Sequence, residues 1–266
     1  MTRLTEDTAP ARVSRARTLV VPTVSAANVP QLAVDLLLHT HGVTRVACVV
    51  DPAVLPAVGA DALGTGAHSL STACELFCDD GDVAVLQLRA PLVPGTGPAF
   101  VRRVHAWARR FLNGGHGACV VWLHSSHAEE VGGGGPLQPH LGPTGADIEY
   151  ALARSEPSVG LAAALGRLGW SAVPTDDPRR EAGHVVHGVL DAAADSTDDA
   201  LEVVVLSSTV AEWSAVQDGA TLATALTTLL AELAAADGAG GGPAGAARKT
   251  ALNDWRQPPS WTGLLL

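Results

Sequence analysis

ACVVWL, residues 118–123, is the stretch that decides the fold, because six apolar residues follow one another over the length of a strand. Runs of this kind are typical of strands that are covered on both faces, as in a parallel α/β sheet. Three more runs share this character: RVACVV at 45–50, DVAVLQL at 82–88 and LEVVVL at 201–206. A shorter run, TLVVPTV at 18–24, is interrupted by Pro22. We therefore predict a sheet whose strands are mostly parallel.

Helices are predicted between these strands. In residues 98–112, Phe100, Val104 and Trp107 recur at helical spacing, and arginines occupy the other face. A later segment repeats the pattern with Leu222, Leu226, Leu229, Leu230 and Leu233. Strand and helix alternate along most of the chain, which predicts a single α/β domain.

The segment that follows the first strand predicts a helix with a wide apolar surface. Asn28 is a good N-cap residue, Pro30 fits the first turn, and Gln31 is placed to complete a capping box. Val34 and Leu38 widen the apolar stripe beyond what one core contact requires. This width indicates either a partner surface or a buried core helix, and the pattern leaves both open. The candidate partner-interface residues are Asn28, Gln31, Leu32, Val34, Asp35 and Leu38.

Charge and composition limit the classes of partner. The net charge of −10 argues against nucleic acid, because phosphate binding needs concentrated Lys and Arg. The same charge is unfavourable at an anionic membrane surface. No stretch approaches about 18 uninterrupted apolar residues, so we expect no membrane span.

The cysteines and the N-terminal residues indicate where the protein works. Cys48 and Cys119 lie in apolar runs, and Cys74 and Cys78 lack the spacing of a redox or zinc motif. Reduced thiols are therefore expected. Residues 1–17 contain no apolar segment of a secretory signal. We expect a cytoplasmic and nuclear protein.

Composition also divides the chain into segments. We expect a disordered arm over 1–17, an α/β domain over 18–237, a flexible Gly/Ala-rich linker over 238–250 and an apolar tail over 251–266. The tail is notable for its apolar residues, which are Trp255, Trp261, Leu264, Leu265 and Leu266. One hypothesis is that the two tryptophans pack back onto the chain's own domain, while the three leucines stay available to a partner.

Common catalytic patterns fail, with one partial exception. The sequence HSSH at 124–127 follows a predicted buried strand, at the edge where open α/β sheets bind ligands. A hydroxyl beside an imidazole is a possible activated nucleophile. A hydrolase or phosphorylase that uses Ser126 and His127 is therefore the alternative function. The pair His184 and His187 lacks the glutamate of a zinc helix, and we expect no metal or cofactor.

Five motifs, in order, resemble the proteasome assembly chaperone 2 family. They are TLVVPTVSAANVPQLAVDLLL at 18–38, VVDPAVLPAVG at 49–59, VLQLRAPL at 85–92, VVWLHSSHA at 120–128 and WRQPPSWTGLL at 255–265. The resemblance spans nearly the whole chain and is weakest between 132 and 199. It implies a three-layer α/β sandwich with a nucleoside-phosphorylase-like shape and an extended C-terminal tail.

The resemblance also implies a non-enzymatic role. Members of this family pair with proteasome assembly chaperone 1, and the heterodimer promotes formation of the proteasome α-ring and prevents wrong association of rings. The implied partners are therefore that chaperone and proteasome α subunits. In relatives, a penultimate Tyr of the tail inserts between α subunits, whereas Leu265 occupies this position here. An interaction module with an unrelated partner is a further alternative.

Overall fold

Strands and helices alternate in the computed structural model, which describes residues 3–5, 13, 15–64, 70–78, 82–113, 117–127, 148–154, 156–174, 177, 180, 184–194, 201–210, 215–236 and 254–261. The strands in these residues are β1 (Arg3–Thr5), β2 (Thr18–Pro22), β3 (Thr44–Val50), β4 (Val58–Ala60), β5 (Leu70–Thr72), β6 (Cys74–Cys78), β7 (Val83–Leu88), β8 (Ala118–His127), β9 (Ile148–Leu152), β10 (Ser171–Ala172) and β11 (Leu201–Val210). The α-helices there are α1 (Val29–His41), α2 (Gly97–Phe111), α3 (Val159–Leu168), α4 (Val185–Ala194) and α5 (Ala215–Ala236).

A nine-stranded mixed sheet forms the centre of the molecule, in the order β1-β3-β6-β7-β2-β8-β11-β9-β10. The four strands β7, β2, β8 and β11 are parallel to their neighbours in this group. Antiparallel pairs flank them, with β6 and β3 on one side and β9 on the other. The α/β class and the parallel centre are confirmed. The strands β4 and β5 form a separate two-stranded ribbon.

Two hydrophobic cores make the fold three-layered. Along β8, Ala118, Val120 and Trp122 face a core that includes residues of α2 and α4. The alternate residues Cys119, Val121 and Leu123 face the core that contains residues of α1, α3 and α5. Since successive side chains of a strand point to opposite faces, a continuous apolar run supplies both cores.

Helix α1 begins differently from the predicted capping box. Asn28 is the N-cap residue, but its backbone is left-handed, with φ of 55°, and its side chain makes no capping hydrogen bond. Pro30 occupies the first turn as predicted. The helix ends at Gly42, whose φ of 63° is left-handed, and the Gly42 N–H donates to Leu38 O. Glycine adopts this conformation without strain, so the position sets the end of α1.

The N-terminal arm contains structure where disorder was predicted. Residues Arg3–Thr5 pair antiparallel with β3 and form an edge of the sheet. Val13 and Ala16 are buried in the core beneath α2 and α4. Backbone pairing therefore fixes residues 3–5 to the sheet, and burial fixes Val13 and Ala16 to the core. The polar composition of this segment predicted neither contact.

Helix α5 is long and apolar enough to cross a membrane by length and composition alone. Its Leu222, Leu226 and Leu229 are fully buried in the core that it shares with α1 and α3. The core helix of a globular domain meets the same length and composition criteria, and the burial of α5 is that of a core helix.

A buried histidine stabilises the position of the central tryptophan. Trp122 Nε1 donates a hydrogen bond to His105 Nε2 over 3.0 Å, and the side chain of His105 is inaccessible to solvent. Burial and, secondarily, the positive charge of Arg109 lower the pKa of His105 to about 4, and the nearby backbone of Ala192 opposes the shift. The neutral imidazole is therefore the form that the fold accepts.

We predict that acid destabilises the protein through His105. An imidazole in the unfolded chain has a pKa of about 6.5, whereas the folded value is about 4. The unfolded chain thus binds the proton first, and the free energy of unfolding decreases by about 3 kcal/mol as pH falls between these values. Urea titrations across this pH range measure the loss.

The variant His105→Gln keeps an acceptor for Trp122 but does not titrate, so its stability should lose this component of the pH dependence. Ala106→Gln places the same side chain on the exposed surface of α2 and should leave the dependence intact. Identical pH profiles for His105→Gln and the parent protein would contradict the prediction.

Candidate functional site

A polar cluster lies at the carboxyl ends of the parallel strands β2 and β8. His124 Nδ1 is 3.1 Å from Thr23 Oγ1, and His124 Nε2 is 3.0 Å from Ser126 Oγ. Each ring nitrogen of His124 is therefore within hydrogen-bond distance of a hydroxyl, and the Thr23 hydroxyl also lies within 2.9 Å of Leu123 O and 3.0 Å of Ser25 Oγ. A neutral imidazole satisfies every one of these bonds.

The imidazole that contacts Ser126 therefore belongs to His124, and not to His127 as the alternative function supposed. Ser126 and His124 are two residues apart on β8 and share a face, whereas His127 is adjacent and lies at the exposed end of the strand. Ser126 is 0% exposed, and the third member of the chain of hydrogen bonds is a hydroxyl rather than a carboxylate. In this state a substrate cannot reach Ser126.

The Ser125 side chain lies on the face of β8 opposite His124 and Ser126. Its Oγ donates to Ala26 O over 2.7 Å, and its N–H donates to Ser25 Oγ over 3.1 Å. These bonds attach β8 to the turn that precedes α1. The serines of this motif thus connect strands and turns within the fold.

The two histidines of the H-x-x-H pair have separate surroundings. His184 precedes α4, where its Nδ1 accepts the N–H of Val186, and its ring lies edge-on to His124 with centroids 5.2 Å apart. His187 lies within α4. Among the residues that the structure describes, no three His, Cys, Asp or Glu side chains are grouped as a metal ion would require.

An ionic network joins α1 to the sheet. Arg89 Nη1 donates to Asp35 Oδ2 over 3.0 Å, and Arg89 Nε donates to Glu75 Oε2 over 3.1 Å. Gln87 Nε2 donates to Asp35 Oδ1 over 2.7 Å, and Arg45 pairs with Glu75. Each buried carboxylate therefore has a cationic partner, which compensates for the loss of its hydration.

The residues of α1 predicted to form a partner interface divide into two groups. Val34 and Leu38 are fully buried in the core, and Asp35 is buried in the ionic network. Asn28 is exposed, and Gln31 and Leu32 are partly exposed. The buried-core explanation applies to the first group, because sheet and neighbouring helices already cover those side chains. Only the second group has surface that a partner can reach in this state.

The C-terminal segment packs on the domain, in agreement with the self-packing hypothesis. Trp261 is 3% exposed in the core that contains residues of α1, α3 and α5, and Trp255 Nε1 donates to Thr224 Oγ1 over 2.9 Å. Pro259 approaches Gly64 so closely that a Cβ there would lie 2.8 Å from Pro259 Cγ. Leu264, Leu265 and Leu266, like the linker over 238–250, lie outside the described residues.

An apolar surface that sequence periodicity did not identify lies beside β3. We call it the ribbon surface; its residues are Val50, Leu55, Val58 and Leu70, with exposures of 66%, 41%, 69% and 57%. Val58 and Leu70 belong to the β4–β5 ribbon, and Arg45 on β3 donates to the carbonyl of Leu70. Val58 and Leu70 lie on one face of the ribbon, because Leu70 pairs with Ala60, two residues from Val58, and neighbouring exposed aliphatic groups occur at binding surfaces.

By fold, this chain is in the class of three-layer α/β sandwiches that includes archaeal proteasome-assembly chaperone homologues. Pyrococcus furiosus PbaA, described as an archaeal homolog of proteasome-assembly chaperone, superposes with a TM-score of 0.56 at 10% identity, over 86% of both chains. PbaB of the same organism, an archaeal proteasome activator, also gives 0.56 at 10% identity, over 90% of this chain and 93% of the other.

Sequence comparison identifies the family. The model of the PAC2 family matches residues 19–249, so the chain belongs to the PAC2 family. Proteasome assembly chaperone 2 of Danio rerio is 34% identical over 137 residues, which are 48% of this chain and 50% of that protein. The Xenopus laevis protein of the same name is 31% identical over 115 residues, 42% and 43% of the two chains. The matched region thus spans about half the length of these relatives or less.

We predict that the anchor and the tip of the C-terminal tail have different effects on stability. Trp261→Ala should lower the free energy of unfolding by about 3–5 kcal/mol, because it leaves a cavity in the core. Removal of Leu264–Leu266 serves as the matched control and should leave stability unchanged. Thermal and urea denaturation measure both. An unchanged melting temperature for Trp261→Ala would contradict the packing of this residue.

Proposed function

We propose that this protein is a non-enzymatic chaperone that pairs with proteasome assembly chaperone 1 and promotes assembly of the α-ring of the proteasome core particle. In this role it also prevents off-pathway association of rings. Membership of the PAC2 family supports the proposal, as do the relatives named proteasome assembly chaperone 2. We place its action in the cytoplasm and nucleus, in keeping with cysteines that form no disulfide within the described residues.

The observation that carries the proposal is the ribbon surface. Burial of an aliphatic side chain gains about 1.5–3 kcal/mol, and association costs about 4–15 kcal/mol. Four such side chains are therefore a significant part of an interface, but they need additional contacts around them. Asn28, Gln31 and Leu32 of α1 remain candidates for contacts with a partner.

The internal bonding of the polar cluster supports the absence of catalysis. His124, Thr23 and Ser126 satisfy one another, and neither histidine nitrogen has a free position in this arrangement. Catalysis by Ser126 would need a substrate-accessible hydroxyl. Here the hydroxyl instead joins a strand to its neighbours within the fold.

The tail would act as an accessory. Its tryptophan anchor lies on the domain, and Leu264–Leu266 would extend from it toward an α subunit. A tethered segment acts at an effective concentration of about 1 mM, so even weak apolar contacts add affinity. Leucine side chains have no hydrogen-bonding group, so we expect the contribution of Leu264–Leu266 to be apolar only.

Co-purification tests the proposal. The protein should form a stoichiometric heterodimer with proteasome assembly chaperone 1, and the pair should capture proteasome α subunits, as measured by native mass spectrometry. The double variant Val58→Lys/Leu70→Lys should weaken at least one of these associations tenfold or more, because burial of two ammonium groups is unfavourable.

Val159→Lys is the matched control, since Val159 is 88% exposed but lies on α3, away from the ribbon. It should bind like the parent protein. The proposed function would be refuted if the protein stayed monomeric and bound neither proteasome assembly chaperone 1 nor the α subunits. Selective capture of an unrelated protein would instead favour a general interaction module.

A further inference from the structure

Helix α2 has a solvent-facing side that is rich in arginine. Its charged residues are Arg102, Arg103, Arg109 and Arg110, so four of the chain's 17 lysines and arginines lie on a helix of 15 residues. Arg102 and Arg110 are exposed, and Arg103 and Arg109 are partly exposed. We call these four residues the arginine face. Its charge is opposite in sign to the net charge of the whole chain, which is −10.

Helical periodicity arranges the arginines in two rows. Arg102 and Arg109 are seven residues apart, which is almost two full turns, and Arg103 and Arg110 repeat this spacing. Each row therefore extends over about 10 Å along the helix axis. Ala106, which is also exposed, lies between the rows. The other side of α2 faces the core, and its buried residues are Phe100, Val101, Val104, His105 and Ala108.

Most of this positive charge has no counterpart within the protein. Arg103 pairs with Asp51, whereas the other three arginines pair with no carboxylate in the described part of the chain. Helix α4, which packs against α2, has one carboxylate, Asp191, and it forms no ion pair with them. The helix dipole favours the two arginines of the last turn, but it does not reach the two in the middle of α2. The fold therefore does not account for the whole arginine face.

Aromatic side chains border one of the two rows. Trp107 and Phe111 are partly exposed, and their ring centroids are 5.4 Å apart. The Arg110 guanidinium lies over the Phe111 ring, 5.2 Å from its centroid. Tryptophan and arginine are enriched among the residues that dominate the binding energy of protein–protein interfaces. This composition indicates a protein partner.

We infer that the arginine face binds a carboxylate-rich segment of a partner protein. Guanidinium groups recognise carboxylates through paired, charge-assisted hydrogen bonds, and three of the four guanidiniums have no carboxylate of their own. An extended segment of six acidic residues spans about 20 Å, which is close to the length of about 22 Å of α2. None of the four arginines belongs to the ribbon surface, so this is a second, separate interaction surface.

Screening by salt favours a short acidic segment over a long polyanion. At physiological ionic strength, exposed charges more than about 8 Å apart are largely screened, so a segment confined to α2 interacts mainly with the arginines. A nucleic acid would extend beyond α2 over the rest of the molecule, which is net negative. The local charge and the net charge together therefore select carboxylates on a partner protein.

An NMR titration with hexaglutamate tests the proposal, and hexaglutamine is the uncharged control of equal length. In about 0.15 M salt, hexaglutamate should shift ¹H–¹⁵N signals of α2, with a dissociation constant on the order of 0.1–1 mM, and hexaglutamine should not. In about 1 M salt, where the Debye length is about 3 Å, the affinity should decrease at least about fivefold.

Two double variants locate the binding. Arg102→Gln/Arg110→Gln removes one exposed guanidinium from each row and should weaken the binding of hexaglutamate about tenfold. Arg167→Gln/Arg256→Gln is the matched control, because it changes the net charge equally but lies on α3 and in the C-terminal segment. Both control residues are exposed, and their segments pack on the other face of the sheet. The control should bind like the parent protein.

Several results would overturn the proposal. They are an absence of hexaglutamate binding, equal binding of hexaglutamine, and an equal loss of affinity in the two double variants. Tighter binding of a thymidylate hexamer or of phosphatidylserine vesicles at α2 would assign the surface to nucleic acid or membrane instead. The comparison of the two peptides uses the unaltered chain, so it decides even if a substitution impairs folding. Neither the sister chaperone nor an α subunit takes part, so the result is independent of the test of the proposed function.

Discussion

Burial of the four parallel strands on both faces is the constraint on which the rest of the structure depends. Each of these strands supplies one core with its odd residues and the other with its even residues, so neither helical layer can be lost without exposing the sheet. Several buried polar groups in and beside this region find hydrogen-bond partners within the protein. Trp122 donates a hydrogen bond to His105, and Asp35 accepts hydrogen bonds from Arg89 and Gln87. The same need for partners explains why the serines at the end of β8 bond to neighbouring turns.

Because of this constraint, a buried cluster of polar side chains is not by itself a sign of a catalytic site. A histidine and a serine in contact resemble part of a catalytic site. Here, however, His124 forms hydrogen bonds with both Ser126 and Thr23 inside the protein. Exposed apolar side chains lie elsewhere, on the β4–β5 ribbon and at the end of β3. The exposed apolar side chains are therefore separate from the polar cluster, which maintains the arrangement of strands.

The parts predicted correctly from sequence are those in which one physical requirement determines the residues. Residues 118–123 predicted a buried strand because two-sided burial needs an apolar run, yet β8 continues to His127 through polar residues whose partners are distant in the chain. The Asp35–Arg89 pair joins residues 54 apart, and no local pattern indicates it. On α1, an apolar stripe looks the same whether a partner or a second helix covers it. The ribbon surface was missed because single exposed residues on short strands produce no periodicity.

The contacts of the C-terminal segment also shape the order of folding. Ser260 Oγ bonds to Ala62 O across 198 positions, and the Arg256 N–H bonds to Thr40 across 216. Closing loops of this length costs conformational entropy before the contacts repay it, so docking of Trp261 belongs late in the folding reaction. Until then, the core that Trp261 completes is not fully covered. A chain that paused at this stage would expose apolar side chains to other chains, which would link the speed of this last step to the yield of native protein.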